Sequence, residues 1–216
     1  MTLPDFYFEK QLSAKGHKLI AGVDEVGRGC FAGPVVAGVV VFAPKTKIAV
    51  KINDSKKLTA KQRELSDKWI RKNALAWGIG EASVSQINRL GIKKATEIAF
   101  RKAIKSIGRE IDYLLIDAFY IPHVLGLRRR NQKAIIKGDT KSVSIAAASI
   151  IAKVHRDKLM QKLGSEAKFR KYGWNKNKGY GTNEHQKAIK KHGSTKHHRK
   201  LWIKTWLSKS SSSRFL

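Results

Sequence analysis

Short apolar runs alternate with longer amphipathic stretches along this chain of 216 residues. The apolar runs have the length and β-branched content of buried strands, which predicts strands at residues 17–25, 34–44, 74–84, 111–119 and 132–139. A short glycine-rich link joins the first two runs, which favours an antiparallel pair. The wholly apolar run that leads to Asp117 is typical of an internal parallel strand.

Between these strands, apolar residues recur at the spacing of an α-helix. Helices are predicted in the segments 53–74, 87–108 and 142–160, and Thr59 and Gln62 have the spacing of a capping box. Small residues at positions 146–149 would let the third helix lie close to a sheet. The order of strands and helices predicts one α/β domain with a mixed sheet.

The composition changes near residue 161, where Lys, His, Tyr and Trp replace apolar clusters. We predict a main α/β domain over residues 1–160 and a smaller basic helical extension over residues 161–207 that contributes to substrate binding. The serine-rich segment 208–216 is predicted to be a flexible tail.

The charge of the chain indicates the class of its partner. The chain contains forty-five Lys and Arg residues but only sixteen Asp and Glu residues, which gives a formal net charge of +29 and a pI near 10.4. A positive field of this size favours a polyanion, DNA or RNA above all, although an anionic membrane surface is an alternative. Basic residues are spread along the whole chain rather than gathered on one amphipathic segment, which favours nucleic acid.

Cysteine content and the N-terminal sequence bear on location. Cys30 is the single cysteine, so neither an intrachain disulfide nor a cysteine zinc site is possible, as expected in a reducing compartment. The N-terminal segment lacks the pattern of a signal peptide, and the longest apolar run, 35–43, is too short for a membrane helix. We therefore expect a cytoplasmic protein that is not inserted in a membrane.

Four of the few acids lie at or just beyond the ends of predicted strands, namely Asp24, Glu25, Asp117 and Asp139. That edge of an α/β sheet is where ligands bind, and clustered carboxylates repel one another unless cations join them. All-oxygen ligands suit Mg²⁺ or Mn²⁺, and two such ions held ~3.5–4 Å apart can cleave a phosphodiester. A basic protein with an acidic metal site suggests nuclease or phosphoryl-transfer chemistry.

Simpler interpretations of these acids remain open at this point. Each could be a solvated strand end, and Asp139 could cap the helix that follows it. Neighbouring residues of a regular strand face opposite sides of the sheet, so Asp24 and Glu25 could not both face one metal. We therefore predict that the strand breaks at or just after Glu25, where Gly27 and Gly29 follow.

Several sequence blocks, taken together, resemble the ribonuclease HII family. In chain order from about residue 20 to 200 they are GVDEVGRG with AGPV, NDSKKL, KGD leading into SIAAASIIAKV and RD, and KGYGT followed by EH. The resemblance implies a ribonuclease H-like mixed five-stranded sheet flanked by helices. It also implies hydrolysis of the RNA strand of RNA–DNA hybrids and nicking 5′ of ribonucleotides embedded in duplex DNA, with two metal ions, leaving 3′-hydroxyl and 5′-phosphate ends.

The resemblance assigns a role to each matching residue. It makes Asp24, Glu25, Asp117 and Asp139 the four metal-binding catalytic acids, with Asp112 as a competitor for the third position. The turn of Gly27, Arg28 and Gly29 would read the ribose 2′-hydroxyl. Tyr180 would pack on the sugar at the RNA–DNA junction, and Ser55 with Lys56 or Lys57 would hold phosphates. The partners are then an RNA–DNA hybrid or ribonucleotide-containing duplex; we expect a monomer, and the sequence identifies no particular protein partner.

One C-terminal block departs from the family pattern, and other functions compete with a nuclease. Residues 193–199 lack the expected proline, and His197 stands where the family has isoleucine, whereas Arg28 favours ribonuclease HII over ribonuclease HIII, which has threonine there. The alternatives are a non-catalytic nucleic-acid-binding protein and another two-metal nuclease or integrase on a related fold. A histidine metal site near His185 and a nucleophilic Cys30 are weaker hypotheses.

Overall fold

The computed structural model describes residues 3–212, with side chains described as far as residue 208. Its centre is a five-stranded sheet in the order β3-β2-β1-β4-β5. The strands are β1 Ile20–Val26, β2 Val35–Val41, β3 Ala76–Ala82, β4 Tyr113–Asp117 and β5 Gln132–Ile135.

The pairing of these strands confirms the predicted mixed sheet. β1 is antiparallel to β2 and β2 to β3, whereas β1 pairs in parallel with β4 and β4 in parallel with β5. The predicted fifth strand, 132–139, is shorter than expected. It stops at Ile135 because Lys137 adopts a left-handed backbone conformation and a 3₁₀ turn, Gly138–Thr140, follows.

Seven α-helices are found in the described part of the chain. They are α1 Tyr7–Ala14, α2 Ala60–Asn73, α3 Val84–Ser106, α4 Val143–Ser165, α5 Trp174–Asn177, α6 Asn183–His192 and α7 Lys200–Ser212. The predicted capping box of α2 is present, since Thr59 and Gln62 exchange hydrogen bonds. Sequence patterning missed α1, whose short amphipathic stretch gives a weak signal.

Helices cover both faces of the sheet. Helix α3 packs on one face, where Val23, Phe100 and Ile116 share a buried cluster. Helices α2 and α4 cover the other, where Ile70 and Ile151 meet β2. Helix α4 lies so close to β1 that a Cβ at Gly22 would overlap the backbone of Ser144, as the small residues of this helix predict.

The C-terminal helices form a third buried cluster beside this sheet. Trp174, Tyr172 and Met160 pack there with Ala32, which belongs to the loop after β1. Helix α4 continues across the boundary predicted at residue 160, so the division into a main domain and an extension stays a prediction.

The segment 208–216, predicted to be a flexible tail, is helical as far as Ser212 because α7 extends into it; residues 213–216 lie outside the described residues. Extending a helix that is already anchored adds one hydrogen bond per residue without a new nucleus, which is why a serine run can continue it. Between residues 3 and 212, no helix is long and apolar enough to cross a membrane.

Candidate active site

The four acids converge where β1, β4 and the turn after β5 end. Asp24 and Glu25 lie near the end of β1, where they still pair with β2. Asp117 is the last residue of β4, and Asp139 lies in the 3₁₀ turn that follows β5. The parallel register pairs Val23 with Ile116, which places Asp24 and Asp117 at the same level on adjacent strands.

These acids line one cavity of about 100 Å³, which we call the acidic cavity. Its lining consists of Asp24, Glu25, Val26, Ser55, Lys56, Asp117, Asp139, Lys153 and Tyr180. Larger cavities exist elsewhere on the described surface, including one of about 1050 Å³ beyond the opposite ends of β1 and β4. The acids that sequence analysis singled out are nevertheless gathered around the small one.

Asp24 and Glu25 reach this cavity without a bulge in β1. The ladder with β2 is regular through Val26, so the two side chains leave opposite faces of the strand. The strand ends at Val26, one residue beyond Glu25, and Gly27 then takes a positive φ of 90°. Pairing of β1 with β4 stops already at Val23, so the edge of β1 beside both carboxylates carries no partner strand.

Burial and mutual repulsion disfavour the charged forms of these acids. Burial, followed by repulsion from Glu25 and Asp117, raises the pKa of Asp24 well above its usual value. Burial, with repulsion from Asp54 and Asp117, raises the pKa of Asp139 to about 6. Burial also raises the pKa of Glu25, although Arg28 opposes it. The surroundings of the acidic cavity thus do not fully stabilise its ionised carboxylates.

The carboxylates fit divalent cations by their chemistry. They supply only oxygen donors, and Oε2 of Glu25 is buried without a hydrogen-bond partner. In the present side-chain conformations, however, no three Asp, Glu, His or Cys residues of the described chain form a ready ligand set. Asp24 Oδ1 accepts from the Glu25 amide and Asp117 Oδ1 from the Gly138 amide, each at 2.7 Å, and Glu25 Oε1 faces Arg28 at 3.3 Å.

Asp112, the competitor for the third acid, lies elsewhere. It precedes β4 and so stands at the opposite end of that strand from Asp117. Its Oδ2 accepts hydrogen bonds from the amides of Lys18 and Leu19 at 2.7 and 2.8 Å, and the bond from Leu19 contributes most to lowering its pKa. Asp112 therefore ties the start of β1 to β4 and does not line the acidic cavity.

The turn of residues 27–29, which we call the glycine turn, follows β1 directly. Gly27 is buried, whereas Arg28 and Gly29 are exposed. A Cβ at Gly29 would meet nothing within 4 Å, so open space lies beside this residue. The Arg28 guanidinium pairs with Glu25 and lies 5.2 Å from the ring centroid of Phe119. The glycine turn and the acids are thus parts of one surface.

The predicted substrate contacts are distributed unevenly around the cavity. Tyr180 lines it with 38% of its surface exposed. Ser55 and Lys56 line it too, whereas Lys57, in the same turn, is exposed and absent from the lining. The sequence left open which of the two lysines contacts the site; in the structure Lys56 is the one that lines the cavity.

Lys153 is a cavity residue that sequence reasoning did not single out. Its Nζ lies 2.7 Å from Asp157 Oδ1 and 5.9 Å from the Tyr180 ring centroid. The pair with Asp157 has the i, i+4 spacing of an ordinary helix salt bridge, and only the packing of α4 against β1 brings Lys153 to the acids.

The histidines near Tyr180 form a buried hydrogen-bonded chain instead of a metal site. His185 Nε2 accepts from Trp174 Nε1 at 3.0 Å and lies 3.1 Å from His198 Nε2. His185 Nδ1 lies 2.8 Å from the carbonyl of Tyr180, which accepts only, so Nδ1 carries the proton. Burial, with the neighbouring His185 and His197, lowers the pKa of His198 to about 3. These neutral rings support the backbone at Tyr180.

Comparison with known proteins identifies the family. The sequence model described as Ribonuclease HII matches residues 21–205. The chain belongs to the ribonuclease HII family. A ribonuclease HII of Wolbachia sp. subsp. Brugia malayi is 49% identical over 201 residues, which cover 93% of each chain. The ribonuclease HII of Ruegeria pomeroyi is 48% identical over 93% of this chain and 82% of its own.

Solved structures agree with this fold. The ribonuclease H2 of Pyrococcus horikoshii has a TM-score of 0.69 at 23% identity and covers 87% of this chain and 96% of its own. Ribonuclease HII in a PCNA complex from Archaeoglobus fulgidus has a TM-score of 0.68 at 25% identity, covering 84% and 93%. A Bst ribonuclease HIII in complex with Mn²⁺ also has a TM-score of 0.68, at 22% identity, and covers 89% of this chain and 70% of its own. The predicted ribonuclease H-like sheet is confirmed.

Family membership decides between the competing functions. As a ribonuclease HII, this chain is a nuclease that depends on divalent metal and acts on RNA–DNA hybrids. The hypothesis of a non-catalytic nucleic-acid-binding protein is therefore wrong.

Proposed function

We propose that this ribonuclease hydrolyses the RNA strand of hybrids and also nicks duplex DNA on the 5′ side of an embedded ribonucleotide. In this proposal Asp24, Glu25, Asp117 and Asp139 together hold two divalent ions, Mg²⁺ or Mn²⁺. The observation that carries the proposal is the convergence of all four acids on one small cavity that adjoins the glycine turn.

The acids and the metal have distinct tasks. When bound, the ions supply activation of water and stabilisation of the leaving oxygen of a phosphodiester, so the products are a 3′-hydroxyl and a 5′-phosphate. Asp24 is the most buried of the four acids and interacts electrostatically with the other three, so it would be the central ligand of the set. The unpartnered Oε2 of Glu25 supplies another donor.

Recognition of the ribonucleotide is assigned to the glycine turn and Tyr180. A ribose 2′-hydroxyl both donates and accepts, and a turn without side chains at its two ends can offer amides and carbonyls to it at close range. In this proposal the sugar lies in the open space beside Gly29. The half-exposed ring of Tyr180 then packs on the sugar at the junction.

Phosphates are assigned to the basic rim of the cavity. Ser55 and Lys56 line the cavity and Lys57 extends from the same turn, so a duplex backbone that crosses the rim meets two ammonium groups and a hydroxyl. Such contacts position a duplex without reading its bases. One chain is sufficient for this arrangement, because the acids, the glycine turn and Tyr180 all belong to it, and we propose that it acts as a monomer.

The test compares two labelled duplexes that differ only in one sugar. With Mg²⁺ or Mn²⁺, the protein is expected to cut the duplex that carries one ribonucleotide at the linkage on its 5′ side and to spare the all-DNA duplex. The product ends are checked by extension of the 3′-hydroxyl with a polymerase and by resealing of the 5′-phosphate with a DNA ligase. Equal cleavage of both duplexes, or cleavage of long hybrids alone, would contradict the proposal.

A further inference from the structure

Two arginines are completely buried behind the glycine turn, and neither lines the acidic cavity. Arg156 lies on α4 and Arg199 directly precedes α7, and both are 0% exposed. Among the described residues, neither forms an ion pair with an acid. Burying a cation without a counter-charge is costly in free energy, so these side chains call for an explanation beyond packing.

The Arg199 guanidinium donates hydrogen bonds to the loop that contains the glycine turn. Its Nη1 donates to the carbonyl of Arg28 at 2.7 Å. Its Nε and Nη2 donate to the carbonyl of Gly33 at 3.0 and 2.9 Å, and Nη2 also reaches Pro34 at 3.2 Å. One planar guanidinium therefore joins the glycine turn to the start of β2.

Arg156 supports the same loop from the side of α4. Its Nε and Nη2 donate to the carbonyls of Pro34 and Ala32 at 3.0 and 2.9 Å. Its Nη1 donates to the carbonyl of Lys178 at 2.8 Å, two positions before Tyr180. The guanidinium also lies directly against Gly27, where a Cβ would overlap Nε.

The backbone around Arg199 adds to this attachment. The amide of Arg199 donates to Phe31 at 2.8 Å, and the amide of Gly33 donates to His197 at 2.9 Å. Residues 197–199 thus run beside the loop after the glycine turn, with Ala32 paired to His198 in an antiparallel bridge. The segment that departs most from the family pattern acts here through its backbone and through Arg199, so the side chain at position 197 is not required for these contacts.

We propose that Arg199 and Arg156 are positioning residues for substrate discrimination, which hold the glycine turn in the shape that accepts a ribose 2′-hydroxyl. This inference rests on the proposed function, in which that turn reads the 2′-hydroxyl. Glycines sample many backbone conformations, so a turn that recognises a sugar through its backbone needs external anchors. The rigid fork of arginine supplies them, and lysine cannot replace it, because one ammonium cannot bond several fixed carbonyls at once.

The experiment compares Arg199→Lys, Arg156→Lys and wild type on two duplexes, one with a single ribonucleotide and one with a 2′-fluoro nucleotide at the same position. The fluoro sugar lacks the hydroxyl hydrogen, and its slow cleavage is followed at high enzyme concentration. Ile70→Ala serves as a control. Ile70 is fully buried between α2, α4 and β2, in a cluster that contains neither the arginines nor the glycine turn. Thermal unfolding of every variant is recorded, so that rates refer to folded protein.

The proposal expects each arginine variant to lose at least about tenfold in kcat/KM on the ribonucleotide duplex while staying within about twofold of wild type on the fluoro duplex. Ile70→Ala should change both substrates by the same factor. Equal losses on both duplexes, no loss on either, or failure of both arginine variants to fold would overturn it. Wild type that does not distinguish the two sugars would instead contradict the proposed function, a result that is read without any arginine variant.

Discussion

At the scale of single residues, the proposed metal-binding role of Asp24 opposes the stability of the fold. Burial and three neighbouring carboxylates raise its pKa, so its charged form destabilises the metal-free fold at neutral pH. When the pKa of an acid is higher in the folded than in the unfolded state, the protein becomes more stable as the pH falls through the folded pKa. It loses this stability as the pH rises through the folded pKa. Under the proposed function, cations bound at Asp24 would offset this cost.

Asp24→Asn is expected to lower cleavage of hybrids by at least about a hundredfold and to raise the melting temperature in EDTA by roughly 2–4 °C. The amide removes one repulsive charge but no longer binds the metal as a carboxylate. Activity assays and thermal unfolding with EDTA check both effects. Asp112→Asn is the matched control: this acid lies outside the cavity and its pKa is lowered, so the variant should keep activity and lose stability. Unchanged stability of Asp24→Asn in EDTA would contradict this account.

Metal binding should depend on pH through Asp139. Burial and the nearby Asp54 and Asp117 raise its pKa to about 6, and a protonated carboxyl does not ligate a metal well. The apparent affinity for Mn²⁺ is therefore expected to weaken as the pH falls from about 7 to about 5. Calorimetric titrations across this range measure it. In Asp139→Asn the remaining pH dependence should be shallower, and an identical profile would exclude Asp139 as its source.

At the scale of elements, two glycines of β1 and its turn have different reasons to be glycine. Gly22 lies under α4, where any side chain would meet the backbone of Ser144. Gly29 faces open space and its backbone does not need a left-handed φ. The first glycine thus serves packing, whereas packing does not require the second, which the proposed function assigns to the substrate.

Alanine at these two positions should separate stability from activity. Gly22→Ala is expected to lower the free energy of unfolding by about 1–3 kcal/mol, because α4 must move away from β1. Gly29→Ala should leave stability within about 0.5 kcal/mol of wild type and lower activity on ribonucleotide duplexes at least about tenfold. Urea unfolding and steady-state kinetics measure the two effects. Full activity of a folded Gly29→Ala protein would show that the turn does not approach the sugar.

At the scale of the whole molecule, the net charge of +29 controls how strongly a duplex is attracted. A polyanionic duplex releases counterions when a protein of this charge binds it, so duplex binding is expected to weaken steeply with salt. Lys56→Ala, which removes a cation at the rim of the cavity, should reduce the slope of log K against log salt concentration by about one. Binding measured over a series of salt concentrations without metal checks this. Lys45→Ala, on the exposed loop after β2 and away from the cavity, is the control for lost charge alone.

The sequence by itself determined the order of the five strands and of the helices between them, the mixed sheet and the family, and it singled out the four acids that the structure brings to one cavity. These features depend on local periodicity and on motifs whose residues are close together in the chain. Only the tertiary structure decided between Asp117 and Asp112 and between Lys56 and Lys57 at the cavity, and it alone brought Lys153 to the acids. The roles of Arg156 and Arg199 also depend on long-range packing, since each contacts a loop more than a hundred positions away. No local sequence pattern predicts these contacts, because they form only when α4 and the C-terminal helices pack against the loop after β1.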